Sequence, residues 1–161
     1  MERMNWVRIV GVAAACVAGL GVCGCGKDFF VAAPPGFVQL ENQEPAYDYR
    51  ATSADGVVIA VRELKHEPKG DQAFWVQAIR NRMREKAGYA LLGTAEVATK
   101  SGLKGTQLKF GHDENGQSML YTLTVFVTDE HIFLLEFGGA KDEIARQEKY
   151  LAWVVENFRA A

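Results

Sequence analysis

The stretch LKGTQLKFGHDENGQSMLYTLTVFVTDEHIFLLEFG, residues 103–138, decides the fold. It contains three apolar or alternating runs, at residues 103–110, 117–128 and 131–137. Asn115-Gly116 separates the first two runs and is a strong hairpin signal, because both residues adopt positive φ easily. Strands that follow one another through such tight turns must be antiparallel. The stretch therefore predicts an antiparallel meander.

Further elements are predicted on both sides of the meander. A strand at 89–99 precedes it through a turn at Gly102, and an earlier hairpin has its turn at 53–56 and a second strand with Val57, Ile59 and Val61 in alternation. A helix is predicted from the N-cap Asp71 to Gly88, and a second one over 141–158. The first helix should bury the residues at helical spacing, namely Phe74, Ala78, Ile79, Met83 and Ala87. The second should bury Ile144, Leu151, Val154, Val155 and Phe158.

Two amphipathic helices need sheet faces to cover, so the fold class is α+β, an antiparallel β-sheet packed against helices as an α/β/α sandwich. The order of elements resembles the PsbP, Mog1 and DcrB group of domains. The likeness covers roughly residues 29–158, from the Pro35-Gly36-Phe37 opening to the C-terminal helix. That group includes many bacterial lipoproteins, and its named members are non-catalytic accessories with unrelated roles. The resemblance implies the fold and not the function.

The N-terminus has the pattern of a secretory signal. Arg3 and Arg8 precede an apolar run of 14 residues at 9–22 and a small-residue exit. As a helix this run would rise only about 21 Å, less than the roughly 30 Å of a hydrocarbon core. Residues 1–24 are therefore predicted to be a signal peptide, with an uncleaved signal anchor as the weaker alternative.

The sequence Val22-Cys23-Gly24-Cys25 resembles the lipobox of bacterial lipoproteins. The resemblance implies lipidation of Cys25 after cleavage of the Gly24–Cys25 bond, a lipid-anchored tether at 25–28 and a single α+β domain at 29–161. Two or three acyl chains would hold the protein on a bilayer, since each buried methylene contributes about 0.8 kcal/mol. Gly26 after Cys25 favours the periplasmic face of the outer membrane, if the organism has one. The alternative is a secreted protein with a chance cysteine.

Composition narrows the function. Of 161 residues, the signal removes 24 and leaves 137, enough for one core. The signal carries Arg3, Arg8 and Glu2, so the 18 basic and 20 acidic side chains become 16 and 19. A net charge near −3 argues against nucleic-acid binding, which needs clustered positive charge. All three cysteines, at 16, 23 and 25, lie in the signal or at the lipid site, so the domain has no disulfide and no thiol nucleophile.

No motif specifies a reaction, a metal site or a cofactor. The adjacent residues His112, Asp113 and Glu114 offer ligand atoms, but neighbours in sequence rarely converge on one ion, and we expect a solvated turn. His66 and His131 also lie near turns. The serines at 53, 101 and 118 lack a nucleophile elbow, and the glycine-rich run 88–94 lacks the phosphate-loop lysine.

Two sets of residues are candidate contacts for an anion or a partner. Arg80 and Arg84 lie one turn apart on the first helix, although a solvated helix face is the simpler interpretation. Gly138 and Gly139 precede the last helix and could present free amides. Trp75 and Trp153 lie beside the apolar stripes and are expected to widen them.

We therefore predict a membrane-tethered envelope lipoprotein with a non-catalytic binding or accessory domain and no cofactor. Its partners would be the lipid bilayer, through acylated Cys25, and an envelope protein. The alternatives are a small periplasmic hydrolase or metal-dependent enzyme, for which a pocket lined by His112 or His131 with carboxylates would argue, or a small-ligand carrier.

Overall fold

The computed structural model describes residues 26–41 and 45–161. Its strands, in chain order, are β1 (Phe29–Phe30), β2 (Phe37–Gln39), β3 (Tyr49–Ser53), β4 (Val58–Lys65), β5 (Ala90–Ala98), β6 (Lys104–Glu114), β7 (Gln117–Val127), β8 (His131–Ala140) and β9 (Arg159–Ala160). Its helices are α1 (Gln72–Glu85) and α2 (Lys141–Asn157). The predicted signal peptide and Cys25 lie outside the described residues.

Seven strands form one antiparallel sheet in the order β2-β3-β4-β8-β7-β6-β5. The predicted meander β5-β6-β7-β8 is confirmed, and Asn115 and Gly116 at its tightest turn have φ of 51° and 80°. Strand β5 forms one edge, and a register shift between Leu91 and Gly93 leaves Leu92 unpaired. The remaining strands, β1 and β9, pair with each other and join the two ends of the domain.

The two helices cover opposite faces of this sheet. Alternate residues of β7 and β8 contribute to two separate clusters: Phe126, Phe133, Leu135 and Phe137 pack with α2, whereas Leu123, Val125, Ile132 and Leu134 pack with α1. The predicted α/β/α sandwich is thus confirmed. Neither helix among the described residues has the length and apolar character needed to cross a bilayer.

Helix α2 packs as predicted, with Ile144, Leu151, Val154 and Val155 buried and Phe158 following its last turn. Helix α1 begins as predicted, where the Asp71 carboxylate accepts a hydrogen bond from the Phe74 N–H at 2.7 Å.

The predicted buried face of α1 is partly wrong. Phe74 is 52% exposed, and Ala78 and Ala87 are exposed as well. The residues that pack on the sheet are Trp75, Val76, Ile79 and Met83. Since α1 lies on a cluster already filled by side chains of β6, β7 and β8, none of its residues is fully buried. The helix rotates to place the large indole of Trp75 against that cluster, which confirms that Trp75 widens the buried face.

Aromatic rings of four elements meet at Phe158. Its ring stacks on Phe126 at 5.2 Å between centroids and on Phe29 at 6.0 Å, and it meets Phe133 edge-on at 5.5 Å. Phe29 is buried although it is the fourth residue after Cys25. The N-terminal segment is therefore part of the main core from Phe29 onward.

Gly105 on β6 is required by the close approach of Phe126. A Cβ atom at Gly105 would lie 2.5 Å from a ring carbon of Phe126 and 2.8 Å from the Val125 carbonyl oxygen. Gly93, in the neighbouring edge strand, has open space where its Cβ would lie.

We predict that Gly105→Ala lowers the free energy of unfolding by about 1–3 kcal/mol, because Phe126 must leave its packed position. The matched control, Gly93→Ala, should change stability by no more than about 0.5 kcal/mol. Urea denaturation of both variants checks the prediction, and equal destabilisation by both would contradict it.

Candidate functional site

Helix α1 covers only part of the sheet face on which it packs. It packs over β5, β6 and β7, so the same face of β3, β4 and the end of β8 is open. A recess of about 300 Å³ lies there. We call it the sheet cleft; it is lined by Tyr47, Arg50, Gly56, Val58, Ala60, Met119, Tyr121, Glu136, Gly138 and Gly139.

A buried carboxylate forms one wall of the sheet cleft. Glu136 on β8 is 4% exposed and accepts hydrogen bonds from the guanidinium group of Arg62 on β4. The antiparallel register places Ala60 opposite Glu136, so Arg62 reaches it diagonally from the adjacent strand. A buried carboxylate without a cation would be strongly disfavoured, and Arg62 supplies that cation from the neighbouring strand.

Two tyrosines complete the walls. Burial raises the pKa of Tyr121 far above its ordinary value, and the neighbouring Glu136 carboxylate raises it further. Tyr121 is therefore a neutral phenol throughout the physiological range. The Tyr47 ring lies 5.4 Å from the Arg50 guanidinium carbon and 5.5 Å from that of Arg62. The cleft thus combines aromatic surface with the Arg50 guanidinium group in its lining and, beside it, that of Arg62, which is bound to Glu136. Aromatic rings with guanidinium groups are suited to recognition of peptide or anionic groups.

Comparison with known proteins finds relatives by structure and not by sequence. No family model matches the chain, and no curated protein matches it. Similar solved structures include LpqN of Mycobacterium tuberculosis, described as involved in cell envelope biogenesis, with a TM-score of 0.69, 15% identity and 81% coverage of both chains. The cyanobacterial PsbP protein of Synechocystis has a TM-score of 0.56 and 13% identity, covering 88% of this chain and 99% of that one.

The Ran-binding protein Mog1p of Saccharomyces cerevisiae aligns with a TM-score of 0.58 and 13% identity, over 83% of this chain and 90% of that one. The chain has the PsbP/Mog1-like fold. Identities this low show only that the architecture is shared. The roles of individual residues in this PsbP/Mog1-like domain have to be inferred from its own geometry.

The structure places Gly138 and Gly139 inside strand β8. Gly138 pairs with Val58 on one side and Tyr121 on the other, and Gly139 pairs with Leu120. Both glycines line the sheet cleft, where the Tyr121 ring and Val57 approach them closely: a Cβ would lie 3.2 Å from the ring at Gly138 and 3.3 Å from Val57 at Gly139. Their amides are therefore in a sheet and not at the start of the helix, which begins at Lys141. A partner contact at these glycines stays a prediction.

Arg80 and Arg84 lie on α1, away from the residues that line the sheet cleft. Arg80 is half-buried, its terminal nitrogen donates to the Gln77 side chain, and its Nε has no hydrogen-bond partner among the described residues. Arg84 is exposed. Their role as a partner contact also stays a prediction.

The three histidines have different surroundings. His66 is buried and acts as a structural link, since Nδ1 lies 2.7 Å from the Thr128 carbonyl oxygen and Nε2 accepts from the Gly70 N–H at 3.0 Å. His112 packs on Tyr89, with ring centroids 4.9 Å apart. His112, Asp113 and Glu114 do not converge on one point. His131 instead meets Asp28 and Glu63, a cluster that the sequence did not predict.

The Arg62–Glu136 pair was also not predicted from the sequence. The available signal was one acidic residue inside the apolar run of β8, Ile132 to Phe137, which would be buried on both faces. Such a carboxylate needs a cation on a neighbouring strand. The identity of that cation depends on strand order, which a single sequence does not give.

We predict that Arg62→Met destabilises the domain by about 2–4 kcal/mol, because Glu136 stays buried without its cation. Arg62 is partly exposed, so the loss should lie at or below the range typical of fully buried pairs. The double variant Arg62→Met, Glu136→Leu should recover most of the loss, since it removes both charges together. Urea unfolding measures both, and a double variant as unstable as the single one would contradict the prediction.

Proposed function

We propose that this protein is a membrane-tethered envelope lipoprotein whose domain binds or steadies a protein partner and carries out no reaction. The observation that supports this most directly is the length of the connection between the proposed anchor and the core. Only residues 26–28 separate Cys25 from Phe29, whose ring is buried against Phe158 and Phe133. A lipid on Cys25 would leave almost no free linker.

The length of that connection sets the reach of the domain. Four residue steps extend to at most about 14 Å. The domain would therefore stay beside lipid headgroups, where a soluble small-molecule enzyme has no advantage and an accessory to another membrane-associated protein gains local concentration. On the sequence rule for Gly26, this membrane is the outer membrane of an organism that has one.

The sheet cleft is the part of the surface best suited to a partner. Its aromatic walls and guanidinium groups favour a peptide or protein segment. The residues that line it include no histidine, serine or cysteine. The likeness to LpqN and Mog1p supports the proposal, because LpqN is described as involved in cell envelope biogenesis and Mog1p as a Ran-binding protein.

A second recess lies beside His112 and would be the candidate active site of an enzyme, but its geometry supports that function less well. It has a volume of about 400 Å³ and is lined in part by His112, Asp113 and Ser118. However, the Ser118 hydroxyl donates to Asp113 at 2.8 Å, and the His112 ring packs on Tyr89. The serine is therefore not hydrogen-bonded to the imidazole that would have to activate it.

The anchor is tested by Cys25→Ser, with Cys23→Ser as the matched control two residues away. We expect Cys25→Ser to abolish lipid labelling and to release the protein from membranes, whereas Cys23→Ser should leave labelling intact because serine is also small. Metabolic labelling with a fatty acid measures the difference. Labelling that survives Cys25→Ser would exclude this anchor.

The need for tethering is tested by a soluble form, in which a cleavable non-lipoprotein signal is fused before Gly26. We expect this form to fold and to fail in complementation at native expression, since the partner no longer meets it at high local concentration. Full complementation at native level would contradict the tethered-accessory function and favour an enzyme or a carrier.

The sheet cleft is tested by Val58→Lys, which places a long side chain at its half-buried floor. We expect loss of the protein partner that co-purifies with the detergent-extracted wild type, with little change in the unfolding midpoint. Val38→Lys is the control, because Val38 is exposed on β2 and does not line the cleft. Retention of the partner by Val58→Lys would show that the partner binds to another surface of the domain.

A further inference from the structure

Three potential metal ligands converge where the N-terminal segment meets the sheet. His131 Nε2 lies 3.4 Å from Asp28 Oδ2 and 3.4 Å from Glu63 Oε1. The three ligand atoms all lie within 4.8 Å of one another, and no other group of three such ligands occurs in the described ranges 26–41 and 45–161.

Backbone structure holds each of the three side chains in place. The register of β4 and β8 puts Lys65 opposite His131 and Phe133 opposite Glu63, so Glu63 and His131 are diagonal neighbours on one face. Asp28 is fixed from the other side, because its carbonyl oxygen accepts the Ala161 N–H at 2.8 Å next to the β1–β9 pair. Two of the three residues thus lie in strands of the sheet, and Asp28 directly precedes β1.

The cluster has more negative than positive charge. Among the described residues, the ion pairs of Asp28 and Glu63 are made with His131 alone, and no lysine or arginine lies within pairing distance. Lys27, which precedes Asp28 in the sequence, donates instead to the Asp48 carbonyl oxygen. Two carboxylates thus share one imidazole.

We propose that Asp28, Glu63 and His131 bind a divalent transition-metal ion, with Zn²⁺ as the best fit. Ligands at about 2.0–2.1 Å from a tetrahedral ion are about 3.3–3.4 Å apart, which is the observed distance from His131 to each carboxylate. An imidazole with two carboxylates favours Zn²⁺ over Mg²⁺ or Ca²⁺, which prefer oxygen ligands only. Three protein ligands leave the fourth position to water.

The bound ion would join Asp28, three residues from Cys25, to the central strands β4 and β8. It would hold the N-terminal segment at a point already fixed by the β1–β9 pair, and the core would fold without it because both hydrophobic clusters are complete on their own. Metal binding does not depend on the proposed function, since the ligands and their geometry are the same with or without a lipid on Cys25.

The experiment uses the full chain in detergent, with Cys16, Cys23 and Cys25 replaced by serine so that no thiol competes for the metal. After chelator treatment and dialysis, calorimetric titration with ZnCl₂ should show one site per chain, and MgCl₂ should show none. At a free Zn²⁺ concentration about 100 times the dissociation constant, the thermal midpoint should rise by about 5–10 °C. Co²⁺ should give the visible absorption of a tetrahedral site.

Three variants of the ligands and one control identify the site. Glu63→Gln and His131→Gln should each weaken Zn²⁺ binding by at least about tenfold. Asp28→Asn removes a charge at a half-exposed position. It should also weaken Zn²⁺ binding by at least about tenfold, without affecting folding. His112→Gln, at a histidine on the other side of the sheet, should bind as the parent does.

The outcomes are distinct. Absence of a one-to-one Zn²⁺ isotherm, or a parent-like isotherm for folded Asp28→Asn, would overturn the site and leave an ordinary contact of one histidine with two carboxylates. An equal loss on His112→Gln would overturn it as well. None of these results affects the lipid labelling or complementation assays, so the metal site and the tethered function can fail separately.

Discussion

The structure depends on the burial of β7 and β8 on both faces. Each strand has a neighbour on either side and a helix over each face, so its side chains are buried at odd and at even positions. This explains why the sequence of β8 from Ile132 to Phe137 is an apolar run with Glu136 as its one charged residue, while β3 alternates. It also explains the cost of the one exception: Glu136 is retained in that run only with Arg62 beside it. The sheet cleft exists because α1 stops short of this pair.

The pairing of β1 with β9 links the two ends of the domain. Phe29 and Phe158 stack within the main core, and the backbone of Asp28 bonds to that of Ala161. A pull on the N-terminal segment would therefore act on the last strand and, through Phe158, on the packing of α2. The N-terminal segment, the cluster of Asp28, Glu63 and His131, and strand β9 therefore meet in one part of the domain.

The sequence predicted the elements with local signals and missed the features that arise from long-range pairing. Turn residues such as Asn115-Gly116 and the N-cap Asp71 fix the ends of strands and helices within a few residues, and these were identified correctly. The prediction of the face that α1 buries was partly wrong. Phe74 and Trp75 lie only about 100° apart on a helix, and the cluster beneath the helix decides which of the two is buried. The Arg62–Glu136 pair spans 74 residues, and the carboxylates beside His131 come from Asp28 and Glu63, which are far from it in the sequence, so neither feature has a local pattern.

The unpaired residue Leu92 has a consequence for self-association. Strand β5 is a long edge with a single charged side chain, Glu96, and an edge of this kind is a template for adding a strand from a second copy. Proteins confined to a surface meet one another far more often than in solution. The bulge at Leu92 interrupts the row of hydrogen-bonding groups and twists the strand, so a second copy cannot match it over its full length. One inserted residue, 58% exposed, thus makes this edge a poorer template for the sheet of a second copy.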